Sequence, residues 1–254
     1  ELEPGLVNEL GATDTLSLFI KTRFLRSGPG MDQIRLFALG VDLDLQLLRL
    51  GRASQWDSGS LTELGPSDLE LVPTGSDSLW LRLDSAVGTE VDLIEVRFAA
   101  TLFRSGAVLE AELGTSTEDS RWQRVDAGEA TELATSQGMV LRGPVEDKRV
   151  MGPVEISAPV LTPNGDGVND ETRFEFSVLR LGGQRAVTTR LYDLGGGLVR
   201  WWEERRGLAS GSYAVRWVGD DQSGQLVPPG TYVLEIEVDI DADLSGGKVH
   251  RLVH

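Results

Sequence analysis

Apolar and polar side chains alternate along most of this chain with a period of two. A clear example begins at residue 16, where Leu16, Leu18 and Ile20 alternate with Ser17, Phe19 and Lys21. A period of two places successive side chains on opposite faces of a β-strand, whereas the apolar positions of an amphipathic helix repeat with a period of about 3.6 residues. The pattern predicts a strand that is buried on one face. No segment of helical period has a convincing length.

Further strands are predicted in the first 155 residues, in DQIRLFALG, DLQLLRLG, LELVP, SLWLRLD, VDLIEVRFAATLF and AVLEAELG. Residues 74–77, TGSD, separate two of these segments and predict a hairpin. Residues 104–106, RSG, predict a second hairpin with long arms between the last two segments. Residues 122–138 are expected to form a long connection, with a short helical turn over 127–133 as its only helical candidate.

The prolines at 144, 153 and 159 predict an interdomain crossing, because proline interrupts strand pairing. We place the boundary near residue 155, giving domains 1–155 and 156–254. The second domain contains seven short strand candidates, EISAPVL, TRFEFSVL, AVTTRLYDL, LVRWWEE, SYAVRWVG, TYVLEIEVDI and KVHRLVH. This spacing is typical of an immunoglobulin-like sandwich. The expected fold class is therefore all-β, with two β-sandwich domains in tandem.

Three motifs in the second domain carry a family resemblance. LTPNGDGVND, at residues 161–170, resembles the opening of the gliding-motility-associated, or type B sorting, C-terminal domains. RLYDLGGGLVR, followed by GSYAVRWVGDDQSGQLVPPGTYVLEIE, is similar to the immunoglobulin-like domain of the flagellar hook-capping family. The resemblance covers about residues 156–254 and implies a role in secretion or surface attachment. Residues 1–155 resemble only in general character the β-sandwich modules that precede such domains in bacterial surface proteins.

Composition narrows the functional classes. A net charge of −16 makes nucleic acid a poor partner, because phosphate binding needs a clustered positive surface. Cysteine is absent, which removes disulfides and thiolate chemistry. No apolar run reaches the about 20 residues that span a bilayer. We expect an extracytoplasmic protein, in the periplasm or at the cell surface, whose signal sequence has been removed.

The sequence does not predict an enzyme. Both histidines, His250 and His254, lie in the last five residues, and no nucleophile elbow, phosphate-binding loop or zinc-binding helix motif occurs. A carboxylate pair that hydrolyses glycosides remains an alternative in a chain with 40 acidic residues, although no pair stands out.

The loop at residues 161–170 supports two interpretations. Asn164, Asp166, Asn169 and Asp170 have part of the oxygen spacing of calcium-binding loops, with Glu175 at the twelfth position. The other interpretation, which we favour, is a rigid turn in which Asn and Asp side chains bond their own backbone and glycines supply positive φ. No cofactor is expected to be required, and calcium is the one candidate ion.

Two charged segments are candidate binding surfaces. The first is a docking patch for a protein, formed by Arg200, Trp201, Trp202, Arg205 and Arg206. Its alternative is an ordinary strand with a charged turn, in which one of the adjacent tryptophans is core and the other exposed. The second is the acidic run Glu235, Glu237, Asp239, Asp241 and Asp243. We expect it to be the solvent face of a half-buried strand, with a cation-binding surface as the alternative.

The functional hypothesis is a non-catalytic exported protein that acts by binding, in cell-surface display, adhesion or assembly. Its partners are expected to be proteins of the bacterial envelope. One alternative is an extrinsic accessory subunit that docks on a respiratory or photosynthetic membrane complex, through residues 200–207 and 122–138. A second alternative is a carbohydrate-active protein.

Overall fold

The computed structural model describes residues 2–3, 7–24, 28, 30–56, 59–117, 121–131, 138–144, 148–240 and 248–253, the last six by their backbone alone. The chain forms two compact units, Glu1–Asp147 and Lys148–His254. Among the described residues, a single turn of 3-10 helix at Ala53–Gln55 is the only helical element, and no helix is long and apolar enough to cross a membrane. The fold is all-β.

The first unit contains twelve described strands. They are β1 (Leu2–Glu3), β2 (Thr13–Lys21), β3 (Met31–Phe37), β4 (Val41–Gly51), β5 (Thr62–Leu64), β6 (Leu69–Val72), β7 (Ser78–Val87), β8 (Leu93–Leu102), β9 (Ala107–Val108), β10 (Glu110–Gly114), β11 (Trp122–Arg124) and β12 (Val140–Leu141). One five-stranded sheet has the order β1-β2-β8-β4-β5, and a second has the order β11-β10-β3-β7-β6. A two-stranded sheet joins β12 to β9. All of these pairs are antiparallel.

Each five-stranded sheet buries one apolar face, as the alternation predicts. Leu16, Leu18, Val96 and Phe98 are at most 1% exposed in the first sheet, and Ile34, Leu36 and Leu81 are equally buried in the second. The hairpin predicted at residues 74–77 is confirmed, because β6 and β7 pair directly on either side of that turn.

The hairpin predicted at residues 104–106 is wrong. Strand β8 pairs with β2 on one side and β4 on the other, so it has no free edge to accept β10. Strand β10 instead lies in the second sheet, between β3 and β11. The turn therefore carries the chain from one sheet to the other, a distinction that strand alternation alone does not contain.

The connection predicted for residues 122–138 is only partly a loop. It begins with β11, which pairs with β10. The predicted helical turn covers residues 127–133. Residues 127–131 are not helical, and residues 132–137 lie outside the described part of the chain. Ala130 instead packs in a small cluster with Phe19, Leu61 and Leu93, beside Trp56. The strand predicted to bury one face thus also buries Phe19 on its other face.

The second unit contains seven described strands: β13 (Met151–Ile156), β14 (Thr172–Val178), β15 (Arg185–Asp193), β16 (Leu198–Arg206), β17 (Gly211–Trp217), β18 (Tyr232–Asp239) and β19 (Lys248–Val253). They form a three-stranded sheet, β13-β14-β17, and a four-stranded sheet, β16-β15-β18-β19. Both sheets contribute to one core, with Phe174, Phe176 and Tyr213 from the first sheet and Leu191 and Ile236 from the second. This is an immunoglobulin-like sandwich.

Strand β13 starts earlier than the sequence pattern suggests. It covers residues 151–156, whereas the predicted strand covers 155–161, and it pairs with β14 through a register shift between Met151 and Val154. Pro153 lies in that irregular stretch, where a residue without an N–H group is tolerated on an edge strand. Strand β13, which straddles the predicted boundary near residue 155, belongs wholly to the second unit.

Candidate functional site

The loop between β13 and β14 is built from Asn and Asp side chains that accept hydrogen bonds from its own backbone. One carboxylate oxygen of Asp170 accepts the N–H groups of Asn164 and Gly165, at 2.9 and 2.7 Å, and the other accepts that of Gly167 at 2.6 Å. Gly165 and Gly167 have φ values of +79° and +85°, and Asn169 has +54°. These values are easy for glycine and tolerated by Asn, so the chemistry of the turn accounts for these residue types.

Asp166 completes the same pattern. Its Oδ1 accepts the Val168 N–H at 2.8 Å, and its Oδ2 accepts the Asn164 side-chain amide at 2.9 Å. The side-chain Oδ1 of Asn164 in turn accepts the Asp166 backbone N–H at 2.9 Å. Every carboxylate oxygen of the loop therefore faces a donor.

This donor set does not fit a calcium ion without rearrangement. Calcium needs about six to eight oxygens that converge on the ion, whereas here every carboxylate oxygen of the loop is directed at an N–H group. Glu175, the twelfth position of the calcium pattern, lies within β14, opposite Ala214 of β17, and takes no part in the loop. Among the described residues, no group of three acidic or histidine side chains is placed to hold a metal. The calcium hypothesis stays a prediction to be tested.

The backbone bonds also change the acidity of Asp170. The N–H groups of Gly165 and Gly167 lower the pKa of this carboxyl below its ordinary value, because they stabilise its charged form. Arg216 likewise lowers the pKa of Glu171, the next residue, through a side-chain hydrogen bond. Acidic side chains in this region therefore support the fold of the loop and its flank.

Strand β16, which carries the predicted docking patch, separates its five residues between two faces. Trp202 lies opposite Thr189 and packs against the core, whereas Trp201 lies opposite Arg190 on the outer face and is 44% exposed. The adjacent tryptophans thus divide as the alternation predicts, one toward the core and one toward solvent.

The inward-facing arginines of the patch have structural partners. Arg200 forms an ion pair with Asp220 and donates a hydrogen bond of 3.0 Å to the Asp221 carbonyl. Its guanidinium carbon lies over the Trp202 ring, 5.4 Å from the ring centroid. Arg206 donates to the Ser212 carbonyl at 2.7 Å and covers the Tyr213 ring at 4.2 Å. These contacts join β16 to neighbouring parts of the same unit.

The other two residues of the patch face outward. Trp201 is one, and Arg205, which pairs with Glu203 on the same strand at 2.9 Å, is the other. Each of the five residues is therefore placed by the structure, but they do not converge on a single surface. That Trp201 and Arg205 contact a partner protein stays a prediction.

Strand β16 is an edge strand, and part of its free edge is covered. The Gln222 N–H donates to the Val199 carbonyl, and the Trp201 N–H donates to the Gln222 side chain, both at 3.1 Å. Gln222 belongs to a tight turn between β17 and β18, which the backbone bonds of Asp221 to Gln225 and of Gly224 to Asp221 close. There the Asp221 carboxylate accepts bonds from Ser223 and from the Gln225 N–H, and these bonds lower its pKa.

An exposed apolar patch extends Trp201 along the outer face. Leu198 is 53% exposed and lies opposite Tyr192, the next outward-facing position after Arg190. Leu194, in the turn between β15 and β16, is 72% exposed. Leu194 and Leu198 line a shallow concavity of about 700 Å³ that also includes Pro228 and Tyr232. We refer to Leu194, Leu198 and Trp201 as the apolar patch.

No motif in the sequence marks Leu194 and Leu198 as part of a binding surface. They lie on either side of the glycines at 195–197. Because glycine-rich turns lie at the surface, leucines beside such a turn can be predicted to be exposed. A single exposed leucine is ordinary, but contiguous apolar side chains indicate a binding surface.

The acidic run on β18 is paired with a cation. Arg190 forms ion pairs with Glu235, at 3.0 Å, and with Glu237, which is only 7% exposed. These contacts raise the pKa of Arg190, the hydrogen bond to Glu237 being the main cause. The run is therefore neutralised in part and is not an open acidic face. Asp241 and Asp243 lie outside the described residues.

Comparison with known proteins does not establish a family. No family model and no curated protein matches the chain. Latent PorU of Porphyromonas gingivalis is 15% identical, with a TM-score of 0.32, over 96% of this chain and 18% of that chain. Domains D2 and D3 of the pilin SpaD of Corynebacterium diphtheriae are 11% identical, with a TM-score of 0.35, over 91% of this chain and 78% of that chain. FlgD of Pseudomonas aeruginosa is 27% identical, with a TM-score of 0.26, over 41% of this chain and 73% of that chain.

Because all three TM-scores are well below 0.5, these similarities carry no conclusion about the function of this chain. This chain spans about a fifth of the length of PorU. The immunoglobulin-like sandwich implied by the family resemblance of residues 156–254 is the observed fold, whereas membership of that family stays a prediction.

Proposed function

We propose that this chain is a non-catalytic, exported protein of the bacterial envelope that acts by binding other proteins, in surface display, adhesion or assembly. The observation that carries the proposal is the apolar patch, in which Leu198 and Trp201 lie on the outer face of the four-stranded sheet and Leu194 lies in the turn between β15 and β16. Its three side chains are each at least 44% exposed, although the core of the same unit is well packed.

The chemistry around the apolar patch suits a protein partner. An exposed tryptophan with leucines beside it supplies the large rigid apolar area of an interface centre. Arg205 and Glu203 on the same strand, and the Arg190–Glu235 pair beside it, supply a polar rim. The β-sandwich of the second unit provides a rigid support for such a surface.

Purification of the tagged chain from its native cells in mild detergent tests the proposal. We expect a partner in a fixed ratio, whose recovery decreases strongly with Trp201→Ala or Leu198→Ser. Leu39→Ser is the matched control, because Leu39 is 50% exposed but lies in the first unit, far along the chain from the patch. Unchanged recovery with both patch variants would exclude this surface.

The same purification separates the alternatives. Recovery of a complete membrane complex would favour the accessory-subunit role, and recovery of envelope or surface proteins alone would favour display or assembly. Hydrolysis of a glycan by the purified chain would contradict the non-catalytic assignment.

A further inference from the structure

The first unit carries an arginine whose guanidinium group lies over the rings of two tryptophans. The guanidinium carbon of Arg35 lies 4.0 Å from the centroid of the Trp80 ring and 3.7 Å from that of the Trp122 ring. The two indole centroids are 6.2 Å apart with the rings at 74°. All three residues are half-buried on the outer face of the β11-β10-β3-β7-β6 sheet.

Neighbouring residues hold this cluster in place. The Trp80 indole N–H donates to the Gln33 side-chain oxygen at 3.0 Å, which orients its ring. Trp122 lies directly over Gly114 of the adjacent strand, where a Cβ atom would approach the ring to 2.7 Å. Gly114 thus leaves the space that the Trp122 ring occupies. The guanidinium is therefore positioned before any partner arrives.

The charge of Arg35 is not neutralised within the described residues. On the same face, Arg82 pairs with Glu70 at 2.9 Å and Arg124 pairs with Glu110 at 3.7 Å. Arg35 has no ion pair and donates no hydrogen bond in the described part of the chain, and its contacts there are the two indole rings. Its cross-strand neighbour Glu112 lies opposite it in register without forming an ion pair.

We propose that Arg35 binds a carboxylate side chain of a partner protein, so that this sheet face is a protein-docking surface. A guanidinium presents N–H groups in a planar fork that matches a carboxylate, and stacking on aromatic rings reduces the entropy lost when it binds. Arg and Trp together are the residues enriched at the energetic centres of interfaces. Because Arg82 and Arg124 are already in ion pairs, Arg35 is the arginine of this face whose N–H groups can meet an acidic side chain of the partner.

The surrounding surface favours a protein over a glycan. Sugars bind flat aromatic rings through a free ring face, whereas Arg35 covers a face of each indole. Phe37, two residues along β3 on the same face, is 41% exposed and offers apolar contact to residues that flank the acidic side chain. The proposal concerns the first unit and does not depend on the apolar patch of the second.

The test is an NMR titration of the 254-residue chain that follows the Arg35 Nε–H and the indole N–H groups of Trp80 and Trp122. The probes are glutamate capped at both backbone ends, capped glutamine, a capped pentapeptide with one central glutamate between leucines, and glucuronate. We expect saturable shifts with capped glutamate and about tenfold tighter binding of the pentapeptide, a difference of roughly 1.4 kcal/mol. Capped glutamine should produce no saturable shift.

Two pairs of variants assign the effect. Arg35→Lys should weaken pentapeptide binding about tenfold, because the planar fork and the ring stacking are lost, whereas Arg82→Lys should not change it. Gly114→Ala should displace Trp122 and weaken binding, and Gly128→Ala is its control, because no atom lies within 4 Å of the added Cβ there. Absence of saturable shifts, equal binding by Arg35→Lys, or tighter binding of glucuronate than of the pentapeptide would each overturn the proposal.

Discussion

The Tyr213 hydroxyl donates a hydrogen bond of 2.7 Å to the carbonyl oxygen of Ala209, four residues earlier in the chain. Tyr232 makes the same i to i−4 contact with the Pro228 carbonyl. Each tyrosine lies near the start of its strand, β17 or β18, and fastens the incoming connection to it. A tyrosine that bonds back to the preceding corner is a recurrent device of immunoglobulin-like sandwiches.

Tyr213→Phe is expected to destabilise the protein by about 1–3 kcal/mol, because it leaves the buried Ala209 carbonyl without its donor. The ring itself should stay in place, since it stacks on Phe176 with a centroid distance of 5.5 Å. Urea unfolding measures the loss. Tyr192→Phe is the control, because the Tyr192 hydroxyl bonds Glu235 nearer the surface, and it should cost less. Equal effects would contradict the role assigned to the corner.

Trp202→Ala should lower the free energy of unfolding by about 2–3 kcal/mol, less than for a fully buried tryptophan, because Trp202 packs against the core at its margin. Trp201→Ala should change it by less than about 0.5 kcal/mol, because the ring is largely in solvent. Chemical denaturation of both variants tests the division of the two adjacent tryptophans. A larger loss for Trp201→Ala would reverse it.

Asp170→Asn should destabilise the second unit at neutral pH, because the variant loses the charge that three backbone N–H groups stabilise. The pKa of Asp170 is lowered in the folded state, so its contribution is present above its ordinary pKa of 3.8 and is lost as the pH falls through the lower folded value. Melting curves of wild type and variant should therefore converge below about pH 4. A constant difference across the acid range would contradict this origin.

Addition of calcium is expected to leave the melting temperature unchanged relative to EGTA, because N–H groups already occupy the carboxylate oxygens of Asp166 and Asp170. Differential scanning calorimetry provides the measurement. A calcium-dependent increase that Asp166→Asn abolishes would instead establish the loop as a calcium site.

Glu95→Ala should destabilise the first unit by about 3 kcal/mol, the lower end of the range for breaking a buried ion pair. Glu95 is fully buried and accepts bonds from Arg49 at 2.6 Å and Arg97 at 3.0 Å, but both arginines retain some solvent contact. Glu70→Ala removes an exposed pair with Arg82 and should cost less than about 1 kcal/mol. Comparable losses in urea would show that burial is not the deciding factor.

Much of the secondary structure of this protein follows from alternation alone, because the two faces of a strand differ in their exposure to water. Strands β14 to β19 lie where the sequence pattern places them, and the Asp221 turn follows from local residue chemistry. The pattern failed where a partner strand mattered. Alternation in β8 and β10 is the same whether they pair with each other or with strands of two separate sheets.

The candidate surfaces show the same limit. Adjacency at residues 200–206 suggested one patch, but β16 directs Arg200 and Trp202 inward and Trp201 and Arg205 outward. The Arg35 cluster draws its three members from β3, β7 and β11, which are far apart in the chain, so no local motif announces it.

The sequence by itself determined the all-β class, the positions of strands β14 to β19 and the turn chemistry of residues 161–170, since each depends on neighbouring residues. The tertiary structure alone decided which strands pair, which charges find partners and which aromatic rings remain exposed. Those outcomes depend on contacts between distant segments, whose energies are set by packing and desolvation after the sheets have formed.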